Sequence, residues 1–184
     1  MKILFLHGLE GSPDGLKASY LKENYDAVVP DLDTAALLRL KKENESVAWE
    51  SVDRYDILWA AREPLKQARQ AIKEHEPDLI IGSSMGGAIL AKMVIENAWS
   101  GPCIFLASAA TLLFGIDKLP VGVGSKSMWV HGAGDTTVPV DHSMLMASRS
   151  SGSVEVVDDD HRLKRILALG TLDEAIRNID ESIN

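Results

Sequence analysis

Ser84 sits at the centre of Gly82-Ser83-Ser84-Met85-Gly86, a knot of small residues between an apolar run and an apolar stretch at helical spacing. The pattern Gly-x-Ser-x-Gly suits a serine nucleophile for acyl transfer. A strand that turns at once into a helix holds the hydroxyl out above the end of a sheet, and the positions two residues away must be small. Gly82 and Gly86 meet that need, and Ser83 reads as a small packing residue. The same turn places the Met85 N–H at a helix N-terminus, where a developing negative charge is favoured. Taken alone, the pentapeptide is also an ordinary glycine-rich turn; the flanking strand and helix favour the nucleophile.

A serine needs a base, and the base needs an orienting acid. Three histidines follow Ser84: His131, His142 and His161. Only His161 lies beyond the last predicted strand, so it is the expected base. His131 falls inside a predicted strand and reads as a packed or locally bonded side chain. His142 falls at a helix start and reads as solvated. For the acid, "MWVHGAGDTTVP" carries Asp135 beyond the C-terminal end of a strand, where sites form in open α/β sheets. Asp158, Asp159 and Asp160 compete, but immediate neighbours of His161 rarely curl back to its ring, so Asp135 is favoured. "DDDH" otherwise reads as a solvated acidic turn, without the glycine and twelfth-position glutamate of a calcium loop. A second oxyanion donor must come from the loop after the first strand, and in "FLHGLEGSP" the Leu9 N–H is the candidate.

Other chemistries find no support. "GSPDGLK" misses the phosphate-loop spacing, and the glycines at Gly122 and Gly124 lack a third and an evident helix to open. No grouping of His, Cys and Asp has zinc spacing. No cofactor and no metal are expected.

The elements that must carry these residues alternate. Strand-like apolar runs occupy Lys2–His7, Ala27–Pro30, Leu79–Gly82, Cys103–Ala107, Ser127–His131 and Val154–Val157. Most lack polar alternation, as strands covered on both faces do. Helical spacing occupies Gly15–Asn24, Ser46–Trp59, Glu63–Glu74, Ser84–Asn97, Val140–Ser148 and Leu172–Ile183. Pro30, Pro77, Pro102 and Pro120 punctuate the runs. The alternation predicts an α/β fold: one domain over residues 1–184, with an open, mostly parallel six-stranded sheet and helices on both faces. Asp31–Ala60 has the weakest pattern and reads as a helix pair or a flap. Its tryptophans, Trp49 and Trp59, are expected in the core rather than at a ligand. A short lid could form from Ala110–Gly124, where Leu112, Leu113 and Phe114 would line an acyl pocket or fill the core.

Bulk properties narrow the partners. The chain has 184 residues, 46% of them hydrophobic, and a net charge of −8. An acidic surface repels phosphate backbones, so nucleic acid is excluded as the expected partner. No segment approaches the ~20 apolar residues of a membrane span, and the apolar run of "MKILFLHG" is too short for a secretory signal. The one cysteine, Cys103, cannot form an intrachain disulfide and favours a reducing, cytoplasmic setting.

With His-Gly after the first strand, the elbow at Ser84, "GxxD" at Asp135 and the late His161, the sequence resembles the α/β-hydrolase superfamily over nearly its whole length. Within it, "FLHGLEGSP", "LKASYLKENY" and "IIGSSMGGAILA" are similar to the small lidless esterases of the YqiA type. "DDDHRL" departs from the Gly/Asn-rich approach to the histidine in that family. The resemblance implies six parallel strands in order 2-1-3-4-5-6. It also implies cofactor-independent hydrolysis of small carboxylic esters or thioesters through an acyl-enzyme, with Ser84, Asp135 and His161 as the triad. A non-catalytic binding protein on the same scaffold, or an amidase or peptidase, is the alternative.

Overall fold

The computed structural model describes residues 1–183. Six strands form the sheet: β1 (Lys2–Leu6), β2 (Asp26–Val28), β3 (Leu79–Ser83), β4 (Cys103–Leu106), β5 (Ser127–Gly132) and β6 (Ser153–Val157). Their order is β2-β1-β3-β4-β5-β6, and every neighbouring pair is parallel. The expected strand order is therefore observed, and the sheet is wholly rather than mostly parallel.

The helices are α1 (Leu16–Asn24), α2 (Ala35–Glu43), α3 (Arg54–Ala60), α4 (Arg62–His75), α5 (Met85–Ile95), α6 (Ala110–Phe114), α7 (Val121–Gly124), α8 (Val140–Ser150), α9 (Arg165–Ala168) and α10 (Thr171–Ile183). Parallel strands need crossovers, and these cover both sheet faces. Alternate strand residues enter two separate cores. Leu4, Leu6, Ile80, Phe105 and Trp129 meet the α2–α6 and α8 side. Ile3, Phe5, Ile81, Ile104, Leu106 and Val130 meet α1, α9 and α10. Phe105 and Trp129 stack across adjacent strands with ring centroids 4.9 Å apart. The second core is tied to α10 by Asp173, whose carboxylate accepts from Tyr20 Oη and Tyr25 Oη, each at 2.6 Å.

Asp31–Ala60 differs from the sequence expectation in detail. It folds as a helix pair, but the single helix expected over Ser46–Trp59 breaks. A short 3-10 turn, Trp49–Ser51, ends at extended Val52, and Asp53 then caps α3 by accepting from Tyr55 N–H at 2.7 Å. Trp49 packs partly against the core. Trp59 does not: it is 63% exposed, with the Arg62 guanidinium 3.9 Å above its ring. A cation over the ring face satisfies the indole at the surface, which is why burial failed as a guide there.

Candidate active site

The chain leaves β3 at Ser83 and enters α5 at Met85, so Ser84 alone makes the corner. Its φ of 53° and ψ of −112° lie where a side chain is strained, and surrounding contacts hold it there. Ser84 N–H donates to the Leu106 carbonyl at 2.8 Å, and Ala109 N–H donates to the Ser84 carbonyl at 3.0 Å. Excluded volume explains the glycines. A Cβ on Gly86 would stand 2.0 Å from the Leu6 carbonyl oxygen, and one on Gly82 would stand 2.6 Å from the Gly86 carbonyl oxygen. Helix α5 can therefore lie directly against β1 and β3 only with glycine at both positions.

Asp135 and His161 meet because the β5 and β6 ladder continues past the strands. Ala133 N–H donates to Val157 O at 2.8 Å, and Gly134 N–H donates to Asp159 O at 3.0 Å. Gly132 permits that approach, since its Cβ would lie 2.4 Å from the Asp159 carbonyl oxygen. The two loops thus run side by side above the end of the sheet.

The side chains then form one chain of hydrogen bonds. Ser84 Oγ lies 2.9 Å from His161 Nε2, and His161 Nδ1 lies 2.7 Å from Asp135 Oδ2. Because the carboxylate only accepts, Nδ1 carries a proton and Nε2 is free to accept from the hydroxyl. The Asp135 side chain is fully buried, and that of His161 is 21% exposed. Asp135 Oδ1 accepts from Thr137 N–H at 2.7 Å and Val138 N–H at 2.9 Å. Burial works to raise the Asp135 carboxyl, but the bonds from Val138 N–H, His161 and Thr137 N–H together outweigh it and hold the group below its ordinary value.

The competing aspartates do something else. Asp159 accepts from Asp160 N–H and Arg165 N–H, Asp160 accepts from Arg162 N–H, and Asp158 pairs with Arg165. They shape the loop that carries His161 and make no bond to its ring. Lys17 reaches the same loop from α1 and donates to Arg162 O at 2.5 Å. Burial pushes the Lys17 amine down to about 8, against the nearby Asp159 and Asp160.

The N–H groups of Leu9 and Met85 have no hydrogen-bond acceptor among the described residues, and both residues line the cleft that contains Ser84. The Leu9 loop is held by His7, whose Nδ1–H donates to Gly8 O at 2.8 Å while Nε2 accepts from Leu32 N–H at 3.1 Å. The cleft has a volume of ≈ 540 Å³. Leu9, Trp49, Leu112, Leu113 and Val138 give it an apolar wall, and Glu10, Lys41 and Arg162 stand on its polar side. Phe114, expected to share the acyl wall or the core, packs against the core. Among the described residues no cluster of His, Cys, Asp or Glu is arranged to hold a metal ion.

His131, read from the sequence as packed or locally bonded, is fully buried and bonded to Ser143 and Val138, but the sequence reading missed that its Nε2 lies 3.0 Å from Asp135 Oδ2. The signal that could have found it is the four-residue spacing of His131 and Asp135 across a strand end that turns immediately. His142, expected to be solvated, is only half-buried in solvent terms, and its Nδ1 lies buried with no partner among the described residues.

No protein-family model matches the chain, and no curated protein sequence matches it. Solved structures do. A protein from Xanthomonas campestris described as a hydrolase of the alpha/beta superfamily has a TM-score of 0.63 at 23% identity, over 99% of this chain and 97% of its own. An alpha-beta serine hydrolase homologue from Coxiella burnetii has a TM-score of 0.62 at 19% identity, over 97% of this chain and 84% of its own. Est1E from Butyrivibrio proteoclasticus, with ferulic acid bound, has a TM-score of 0.68 at 12% identity, over 100% of this chain and 90% of its own. The architecture is the α/β-hydrolase fold. Among the described residues no helix is long and apolar enough to cross a membrane.

Proposed function

We propose that the protein is a serine hydrolase acting on small carboxylic esters or thioesters. The observation that carries this reading is the unbroken hydrogen-bond chain from Ser84 Oγ through His161 to a buried Asp135. In this reading Ser84 Oγ attacks the acyl carbonyl and His161 Nε2 takes its proton. Asp135 keeps the imidazole in the tautomer that can accept and stabilises the imidazolium once formed. The Leu9 and Met85 N–H groups receive the oxyanion. His161 then protonates the leaving group, and a water deprotonated by the same nitrogen releases the acid.

The cleft supports a small substrate. Its apolar wall suits a short acyl or aromatic acid group, and α6 and α7 are too short to form a large cap. Est1E, with its bound ferulic acid, adds esters of aromatic acids to the set worth testing.

A fluorophosphonate probe tests the reading. It should label the purified protein and fail to label Ser84→Ala. An unlabelled wild type that also turns over no p-nitrophenyl ester would instead indicate a binding protein on this scaffold. Parallel ester, thioester and amide substrates would separate an esterase from an amidase or peptidase.

A further inference from the structure

We propose that His131 is a positioning residue for the active-site pair, its Nε2–H shared between the Val138 carbonyl and the same Asp135 oxygen that holds His161. The inference rests on the serine-hydrolase reading above. His131 is the penultimate residue of β5 and is wholly buried. Its Nε2 faces two groups, Val138 O at 3.0 Å and Asp135 Oδ2 at 3.0 Å. Both can only accept, so this nitrogen must carry a proton. Its Nδ1 lies 2.7 Å from Ser143 Oγ on α8, and a neutral ring accepts that hydroxyl's proton there. Burial pushes His131 below its ordinary value, and the Val138 carbonyl and Asp135 recover only part of that. The ring is therefore neutral, with its tautomer set by Ser143 on one side and by two acceptors on the other.

The consequence lies in what surrounds the Asp135 carboxylate. Oδ1 receives two backbone N–H groups, Oδ2 receives the His161 Nδ1–H, and the His131 Nε2, whose N–H bonds the Val138 carbonyl, lies 3.0 Å from the same Oδ2. A carboxylate offers about four acceptor sites, so three are filled and the His131 N–H stands beside the fourth. The group is held at both oxygens, and the His131 N–H dipole offsets part of the charge it presents to His161. The titratable groups that act on His161 are Asp135, His131 and, from the loop after β1, Glu10. Removing the His131 N–H takes away the positive end of a dipole close to Oδ2, and the carboxylate then attracts the His161 proton more strongly. An imidazole that holds its proton more tightly is a base only at higher pH.

The test is the pH dependence of kcat/KM with a p-nitrophenyl ester for wild type, His131→Phe, His131→Gln and Ser143→Ala. His131→Phe should raise the inflection by on the order of one pH unit and lower the plateau by about tenfold. His131→Gln retains an N–H near the Nε2 position and should return the inflection towards that of wild type. Ser143→Ala removes the group that fixes the tautomer and should shift the inflection in the same direction by less. It also keeps the test decisive if His131→Phe does not fold. An unmoved inflection in the folded variants, or equal damage from Phe and Gln, overturns the role of His131. An inactive, unlabelled wild type would instead overturn the serine-hydrolase reading.

Discussion

The elbow around Ser84 and the loop around His161 supply two atoms 2.9 Å apart, yet they are held in different ways. The elbow is fixed by excluded volume. Gly82, Gly86 and Gly87 lie against backbone or a buried side chain, and Met85 and the α5 residues behind it are buried. The His161 loop is fixed by polar pins: its own aspartates on its backbone, Lys17 on the Arg162 carbonyl, and Asp159 O on the β5 loop. One half of the site is set by shape and does not respond to pH. The other half is set by charge and hydrogen bonding and does.

Substitutions can sharpen this contrast. The largest effect belongs to the proposed nucleophile: Ser84→Ala should lower ester hydrolysis by roughly 10⁵- to 10⁶-fold, read from initial rates. Ser84→Gly should be as inactive, but a glycine relieves the positive φ, so its denaturant midpoint should rise, consistent with about 1 kcal/mol. A lower midpoint for Ser84→Gly than for Ser84→Ala would mean that the corner is not strained.

Next in size is the proposed acid. Asp135→Asn offers an amide N–H where an acceptor is needed and should reduce kcat by ~10⁴. Changing Asp158, Asp159 and Asp160 together to Asn leaves an oxygen acceptor for each backbone N–H and should cost less than about tenfold. A severe triple variant beside a mild Asp135→Asn would reverse the assignment. The Asp135 carboxyl is held below its ordinary value, so its contribution to stability is complete above the usual carboxyl range. That contribution is lost as the pH falls through the depressed value, and pH-dependent unfolding of wild type against Asp135→Asn reads it.

Gly86→Ala tests the steric half. Its Cβ meets backbone, which cannot yield as a side-chain tip could. It should lose more than about 3 kcal/mol in denaturant unfolding. A small loss would show that α5 can slide on β1.

The smallest effect should come from Lys17→Met, which removes one pin from the His161 loop. Rate should fall about fivefold, as expected from one hydrogen bond of ~1 kcal/mol. The amine sits at about 8 when folded and near ~10.4 when unfolded, so the unfolded chain binds more protons between those values. The stability of wild type relative to Lys17→Met should therefore rise with pH across that window. A flat difference would mean that the amine is not desolvated.

Legibility in the sequence followed the same division. The four inner strands are buried and nearly uniform in hydrophobicity, while the edge strands β2 and β6 are largely unburied and showed instead through their valines; all six were visible, with ends displaced by a residue or two. The elbow was visible because its steric demands act on neighbours in sequence. The Asp135 and His161 positions followed from their places after strands. His131 was not legible as a partner of Asp135, because an interior strand histidine looks the same whether its ring meets a carboxylate or a methyl group. Helix α2 gave a weak pattern, since Leu37 is its one fully buried residue. Trp59 looked like core because composition does not reveal a cation stacked on a ring.

The continued pairing of the β5 and β6 loops also has a consequence for how the molecule is made. Synthesis runs from the N-terminus, and Ser84 and His161 are 77 residues apart. Strands β1, β3 and β4, with the finished elbow between them, are complete before β6 exists. Asp135 emerges ahead of the strand whose extension aligns it. Domains generally fold as units, so the sheet closes only once the chain through β6 has been made. The serine is thus synthesised first but stays without its proposed base until β6 has docked on the sheet edge. On the proposed reading, a nascent or partly unzipped chain would carry Ser84 without its partner and remain chemically silent.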